Sequence, residues 1–594
     1  MAIQRISSLD ALKGIAIIAV ILYHVGYVKF GYLGVDVFLV IAGYLSIHGM
    51  CGIMPGNGGG KSYLSYIIKR LARLWPVLLV ASLISIVWGY FWMLPDDYEN
   101  LAQSVAASDL FANNILQCIT TKNYWDVVNE FKPLMHTWYL GVLFEFYLVM
   151  PLLLIIGKKC FPNAENIAER VVTIVTICSF LLFLLTCFRQ EQKFYYLPFR
   201  FFEMGMGCWL ALVQQKVATV KNSSFHLFGG GVLLFLLLLL IFVDVDVLQA
   251  DSRLILCVLL TLVMLVMMPV IDCSKLCVLT SNPVLVFLGR SCYSIFIWHQ
   301  IVLAFMRYSY SDKFGFGNFM IFLVITIGLS CVTYFLIEKK IIQKCKSSHV
   351  VMVSAVVCCL SIACSLWIYV RAGVMKDIPE LDIRMDNVHR GMHGEYCDRG
   401  YQFDKDFKEK NKQHWLVVGD SFGRDFVNVL VEMGITDSVE ISYIFTPNLE
   451  KKEYRIPQAD RIFYAMSVFP KEDGVVKFDN MMSQYHVEDS KWNIIGSKNF
   501  GVSCGQIYRH HGEPDYTQQS MEIDSVYFSF NAYMKKQWGE KYIDLVSPVA
   551  VGKNRVKVFS DTGKIISQDC RHLTKGGAQY YAKLLRKDIN MLLR

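Results

Sequence analysis

Hydrophobic positions are distributed in two different ways along the chain. Up to about residue 371 they gather into about eleven long stretches, at 11–29, 32–50, 74–94, 136–157, 171–188, 199–215, 225–243, 254–271, 283–306, 318–337 and 349–371. Each approaches the ~20 residues needed to cross the hydrocarbon layer of a bilayer. Past residue 400 they fall into short runs at 415–418, 439–445, 461–466, 492–495 and 542–545, with helical or loop stretches between. That alternation predicts an α/β layer around a mostly parallel sheet. A helix is expected over 427–433, and a closing amphipathic one over 574–593 with Ala578, Tyr581, Leu584 and Leu585 on one face. The 372–400 stretch is polar, lacks periodicity and reads as a tether. The 94–135 segment reads as a long outer loop with a surface helix near 101–116. The expected fold class is a multi-pass α-helical membrane bundle of about eleven spans followed by a C-terminal α/β domain.

Composition agrees with the pattern. Of 594 residues, 54% are hydrophobic and 18% charged, too apolar for an ordinary soluble protein. The net charge of +8 calls for no nucleic acid, because basic residues collect in the cytoplasmic loops of membrane proteins. With the N-terminus in the cytoplasm, the inner loops hold Arg5, Lys61, Lys69, Arg70, Arg73, Lys158, Lys159, Arg170, Lys216, Lys221, Lys339, Lys340, Lys344 and Lys346. The outer loops hold Asp96, Asp97, Glu99, Asp244, Asp246 and Asp251. An odd number of spans then puts residues from 372 onward outside. No cleavable signal peptide is expected, since the first apolar run leads into the second without a small-residue cleavage site. Most of the 18 cysteines lie in apolar stretches, and none has zinc spacing, so no metal is expected. Cys397, Cys504 and Cys570 fall in the C-terminal part, where one disulfide among them would leave one thiol over.

Ionisable side chains within spans are costly, so each is a functional candidate. His24 lies inside the first span and Asp36 in the second, placed to face each other across a helix pair. Their bland reading is a pair that locks two helices. Arg70 and Arg73 share a helix face at the cytoplasmic end of the third span, where two guanidiniums can fork onto phosphates, although positive-inside anchoring also explains them. His136 opens the fourth span and Glu145 sits within it. Arg200 and Glu203 share a face of the sixth. Arg290 and His299 lie in the ninth. For any one of these a packing role suffices; together they predict a polar cavity.

In the C-terminal part, 415–418 ends in Gly419-Asp420-Ser421 and a helix follows. A serine at a strand-to-helix turn is exposed beside N–H groups that favour negative charge. Asp569-Cys570-Arg571-His572 lies about 150 residues further on. At that spacing a carboxylate can orient an imidazole that takes the serine proton. A capped turn and a solvated Asp/His pair are the bland alternatives for each motif alone.

Two resemblances follow from these residues. Ser421 with Asp569 and His572, over about 378–594, resembles the SGNH (GDSL-like) esterase and acyltransferase family. The resemblance implies Ser421 as nucleophile, His572 as base and Asp569 as its orienter. Asn499, in a Gly-rich stretch, resembles the asparagine that completes that family's oxyanion hole. No block II glycine is found. Residues 1–345 are similar to the membrane-bound acyltransferase-3 family. The similarity is carried by Asp10, Lys13, Tyr23-His24, Gly34-Val-Asp36, Arg70-Leu-Ala-Arg73 with Pro76, His136-Thr-Trp138, Phe146-Tyr147, Arg200 with Glu203, Gly289-Arg290, Trp298-His299 and Glu338-Lys. Two departures stand out. Lys13 occupies an arginine's usual place, and Leu143 and Phe144 replace a pair of acids, leaving Glu145 where glutamine is usual. The domains expected are a ten-span acyltransferase-3 part at 1–345, an eleventh helix at 346–371, the tether, and an extracytoplasmic SGNH-like domain at 401–594. The resemblances imply an O-acyltransferase in a bacterial cytoplasmic (inner) membrane. It would take acetyl from cytoplasmic acetyl-CoA to hydroxyls of an extracytoplasmic polysaccharide, peptidoglycan or O-antigen, through an acyl-serine. The membrane residues would bind the donor or relay the acyl group. A membrane-anchored esterase and a transporter or sensor with an outer binding domain are the alternatives.

Overall fold

The computed structural model describes residues 7–55, 62–120, 129–185, 187–214, 224–244, 248–272, 281–309, 314–466 and 472–593. Arg5, Lys61, Lys216, Lys221 and Asp246, used above to orient the spans, lie outside them. The chain divides into two units, Met1–Trp88 with Leu101–Leu366, and Gly89–Asn100 with Trp367–Arg594.

The first unit is helical. Among the described residues, eight helices are long and apolar enough to cross a membrane, from Ser7–Val25 to Ser347–Val370. A bent pair, Pro283–Arg290 with Cys292–Ser309, makes that up to nine. All eleven expected stretches carry helix, and eight or nine of them meet that length and apolarity among the described residues. Leu197–Gln214 is not among the eight, and the seventh stretch forms the helix Ser224–Phe242. The ninth stretch, expected as one straight span, bends by 76° at Ser291. Its first half packs backbone to backbone on the Ser7–Val25 helix: a Cβ on Gly289 would meet the Asp10 carbonyl oxygen at 1.7 Å. Several helices are apolar on their outer faces too, as at Ile174, Ile177 and Leu181, which suits a lipid surround.

The second unit is α/β. Its strands are β1 (Gln413–Gly419), β2 (Val439–Phe445), β3 (Arg461–Ala465), β4 (Trp492–Ile495), β5 (Ser520–Glu522), β6 (Tyr542–Ile543) and β7 (Arg555–Lys557). Five pair in parallel in the order β2-β1-β3-β4-β6, and β5 and β7 form an antiparallel pair. Successive residues of β1 enter opposite cores. Trp415 and Val417 join one and Leu416 and Val418 the other, because helices cover both faces of a parallel sheet. The expected closing helix is two, Lys575–Leu584 and Arg586–Leu592.

The tether is corrected. Residues 372–400 carry 3-10 and α-helical turns, and Val374, Ile378 and Ile383 are buried in the core shared with β1. The Ile565 N–H donates to the Glu380 carbonyl at 2.9 Å. A few apolar anchors and backbone hydrogen bonds fold this polar segment without any periodic pattern. Residues 89–100 belong to the same unit: a Cβ on Gly373, at φ +70, would meet the Pro95 carbonyl at 1.9 Å.

Candidate active site

The site of the α/β unit begins where β1 ends. β1 lies between β2 and β3, where the winding of the sheet reverses, and ligands of such sheets bind at the carboxyl ends of the strands there. Gly419 is required by space, since a Cβ would stand 2.1 Å from the Ala465 carbonyl oxygen of β3. The Asp420 carboxylate caps the next helix by accepting from the Phe422 N–H at 2.9 Å, and Ser421 is the first residue of that helix, Ser421–Glu432. The Tyr443 hydroxyl from β2 donates to the Asp420 carbonyl at 2.8 Å and fixes the turn from below.

Ser421, His572 and Asp569 form one connected chain. Ser421 Oγ lies 2.9 Å from His572 Nε2, and His572 Nδ1 lies 2.5 Å from Asp569 Oδ2. The other oxygen of Asp569 accepts from the N–H groups of His572 at 2.7 Å and Arg571 at 2.9 Å. Burial pushes the Asp569 carboxyl up, but the His572 ring, its hydrogen bond and those N–H groups prevail and hold it down at about 2. The group is therefore ionised across the physiological range and holds Nδ1–H toward itself, leaving Nε2 to accept the serine proton. The N-terminal N–H groups of the Ser421–Glu432 helix offer donors to a developing oxyanion.

Two further residues hold this geometry together and were missed in the sequence. Asp425, one turn after Ser421, takes the Lys498 ammonium at 2.9 Å and the Leu573 N–H at 2.9 Å on one carboxylate oxygen. Asp425 and Lys498 are almost completely buried, and Lys498 Nζ stands 3.4 Å from the Phe422 ring centroid. The nucleophile helix, the 498–501 loop and the residue after His572 are thus fastened at one carboxylate. The i, i+4 spacing of Ser421 and Asp425 was the available signal. The Phe500 N–H also donates to the Cys570 carbonyl at 2.9 Å, bringing Asn499 to the triad loop. The immediate partners of Asn499 are the Tyr527 hydroxyl, to which its amide donates at 3.2 Å, and the Gly501 N–H at 2.8 Å. On the same unit Asp96, Glu99 and His393 bring ligand atoms within 4.8 Å of one another. Burial, eased by His393 and reinforced by the Asp569 carboxylate, pushes the Asp96 carboxyl up.

The helical unit gathers its own polar groups. The expected His24–Asp36 pair is corrected. Asp36 receives Arg200 at 2.6 Å, and Arg200 also reaches Glu203 at 3.0 Å, all three nearly fully buried. His24 instead has its Nδ1 at 2.8 Å from the Val20 carbonyl and its ring 5.1 Å from His299, which lies 5.2 Å from the His136 ring. A carboxylate buried among apolar helices costs several kcal/mol unless paired, and the permanently charged, forked guanidinium of Arg200 supplies the pair that an imidazole does not. His24, Asp36, His136 and Arg200 line a cavity of about 490 Å³. A second cavity, about 450 Å³, is lined by Asp10, Lys13, Arg70, Arg73 and Arg290. Tyr139 and Phe296, with ring centroids 5.3 Å apart, line both. Arg70 lies over the Tyr66 and Tyr147 rings at 4.9 and 4.7 Å. Glu145 accepts from Asn114 at 2.9 Å and lines neither cavity.

Known proteins bear on the helical unit. The chain is 26% identical over 323 residues to a "Putative O-acetyltransferase" of Staphylococcus aureus, covering 52% of each. It is 25% identical over 311 residues to the "Peptidoglycan O-acetyltransferase OatA" of Listeria monocytogenes, 50% of each. It is 26% identical over 356 residues to the "Putative peptidoglycan O-acetyltransferase YrhL" of Bacillus subtilis, 57% of this chain and 55% of that one. The chain thus spans about half the length of the curated relatives it matches. No solved structure matches it. A family model described as an acyltransferase domain matches residues 6–370, which covers the two lined cavities and their histidines, and the chain belongs to the acyltransferase-3 family.

Proposed function

We propose that the protein is an O-acetyltransferase that carries an acetyl group from cytoplasmic acetyl-CoA to a hydroxyl of an extracytoplasmic glycan, by way of an acyl-Ser421 intermediate. The observation that carries this reading is the hydrogen-bonded chain Ser421–His572–Asp569, on the same polypeptide as an acyltransferase-3 domain. Lys13, Arg70, Arg73 and Arg290 make the smaller cavity a cationic receptacle suited to the phosphates of the donor. His24 and His136 in the other cavity supply imidazoles for releasing or capturing the acyl group. At the α/β unit, an SGNH-like domain in this reading, His572 takes the Ser421 proton as Oγ attacks the acyl carbonyl. The tetrahedral oxyanion faces the helix N–H groups and the loop of Asn499. The carrier leaves with the proton, and a glycan hydroxyl then attacks the ester with His572 again as base.

The names of the Listeria and Bacillus relatives favour peptidoglycan as the acceptor. The basic loops favour a bacterial cytoplasmic membrane with the α/β unit outside. Mass analysis of envelope glycans tests the scheme: Ser421→Ala and His24→Ala should each abolish acetylation, and full acetylation with either variant overturns the relay. The triad would equally serve hydrolysis, so the second reading is an esterase. The full chain given an acetyl ester with and without glycan separates the two, because release of acetate at one rate regardless of glycan favours the esterase.

A further inference from the structure

Cys504 and Cys570 bring their sulfur atoms to 3.5 Å, and both residues are buried. The position of Cys570 makes this contact consequential. It lies between Asp569 and His572 and holds φ at +65, a left-handed backbone that a residue with a Cβ adopts only when its surroundings impose it. The surroundings are the 498–504 loop. Phe500 N–H donates to the Cys570 carbonyl, and the Cys504 thiol donates to the Ser567 carbonyl at 2.8 Å. The Ser567 hydroxyl in turn donates to Asp569 at 3.2 Å. The third cysteine of the unit, Cys397, turns its thiol to the Leu573 carbonyl at 3.5 Å.

We propose that Cys504 and Cys570 are joined as a disulfide in the mature enzyme, a covalent clasp on the loop that carries Asp569 and His572. The proposal rests on the extracytoplasmic placement of the α/β unit argued above, since structural disulfides persist in oxidising compartments. The sulfurs need to approach by about 1.5 Å to reach the ~2.05 Å bond, a movement within reach of the two side chains.

The chemistry is thiol–disulfide exchange with an exported protein disulfide as oxidant. One cysteine thiolate attacks that disulfide, and one sulfur of the oxidant leaves as a thiolate. The second cysteine thiolate then attacks the mixed disulfide, and the oxidant departs as a dithiol. Two protons and two electrons leave the cysteine pair. In the folded unit both sulfurs are out of a protein oxidant's reach. The Cys504 contact, then burial, also pushes the Cys570 thiol well above its ordinary range. The bond therefore forms before the core closes, and in the native state it resists reduction. It closes a loop of 66 residues, so it narrows the unfolded ensemble as well as fixing the left-handed residue.

The test is peptide mapping of the full-length protein, taken from membranes, alkylated in denaturant without reduction and digested with trypsin. Cleavage after Lys498 and Arg509 and after Lys564 and Arg571 gives peptides 499–509 and 565–571, each with one cysteine. They should appear as one linked species, two hydrogens lighter than their sum, and separate only after reduction. The Cys504→Ala/Cys570→Ala variant should melt about 5–10 °C lower while Ser421 still reacts with a fluorophosphonate. Recovery of both peptides alkylated without reduction overturns the proposal, as does linkage of either to peptide 391–399, which carries Cys397. Fluorophosphonate capture of Ser421 in the same sample keeps the two claims apart. Capture with free thiols sinks the clasp alone, whereas linked peptides without capture sink the acyl-serine and keep the clasp.

Discussion

The two units solve opposite problems with polar groups. In the helical unit, charge is surrounded by apolar side chains and must be neutralised locally. Asp36, Arg200 and Glu203 do this for one another, with contacts of 2.6 and 3.0 Å across 164 and three positions of sequence. In the α/β unit the reactive groups stand at the end of a sheet, partly open to solvent, and are aimed rather than neutralised. Ser421 sits on a helix start, His572 on a loop, and Asp569 three residues before it. The lesson is that burial alone does not mark a working residue. Deep ion pairs in the bundle hold helices and shape a cavity, while the serine that should do the chemistry is held by backbone geometry.

Mutations in each unit should therefore fail in different ways. The largest effect is expected at Ser421→Ala: loss of at least ~10⁴-fold in turnover of an acetyl ester, with no loss of thermal stability in detergent. Asp569→Asn comes next, at about 10³–10⁴-fold, because an amide no longer holds Nδ1–H and lets His572 present the wrong nitrogen. Rates measured on purified full-length variants decide both. Arg200→Met should cost about 3–5 kcal/mol in unfolding because it strands two buried carboxylates, yet fluorophosphonate labelling of Ser421 should persist. If Arg200→Met instead abolishes labelling while the protein remains folded, the separation of roles drawn between the units is wrong.

What was legible in the sequence follows the same division. The strands of the parallel sheet are buried on both faces, so β1 to β4 stand out as short, mainly apolar runs, and their observed bounds agree with the expected ones to within about two residues. The Asp569/His572 pair was legible because three residues is a local spacing. The Asp425–Lys498 pairing was not, since it joins a helix to a loop 73 positions further along the sequence. Asp36 announced a need for a cation but not which one, because Arg200 arrives from another helix. The 76° bend at Ser291 is hidden in a continuous apolar run, as the close approach of Gly289 to Asp10 is a tertiary event. The folded 372–400 segment was hidden because its anchors, Val374, Ile378 and Ile383, are few and aperiodic.

Lys498 gives a sharper test, because it is as deeply buried as Arg200 but lies close to reactive groups that are partly open to solvent. Lys498→Met removes the cation from Asp425 and keeps the volume against Phe422. About 3 kcal/mol of stability should be lost, and labelling of Ser421 should also slow, since the same carboxylate holds the Leu573 N–H beside His572. The paired change with Asp425→Asn should recover part of the stability. Slow labelling at unchanged melting temperature would show that Lys498 meets substrate rather than holding the loop.

The smallest expected effect is electrostatic and concerns Asp569. Its carboxyl is held at about 2 in the fold, against ~3.9 for a free aspartate. The folded state thus binds this proton less tightly than the unfolded state does. The stabilisation is complete above about pH 4 and is lost as pH falls through about 2. Over that window wild type should lose about 2 kcal/mol that Asp569→Asn does not, so their stability curves should converge toward acid. Denaturant unfolding from about pH 5 down to about pH 2.5 measures the difference. Parallel curves would mean that the hydrogen bonds to Asp569 come from groups that also form in the unfolded chain, and the aim of His572 would then have to be set by Leu573 and Asp425 alone.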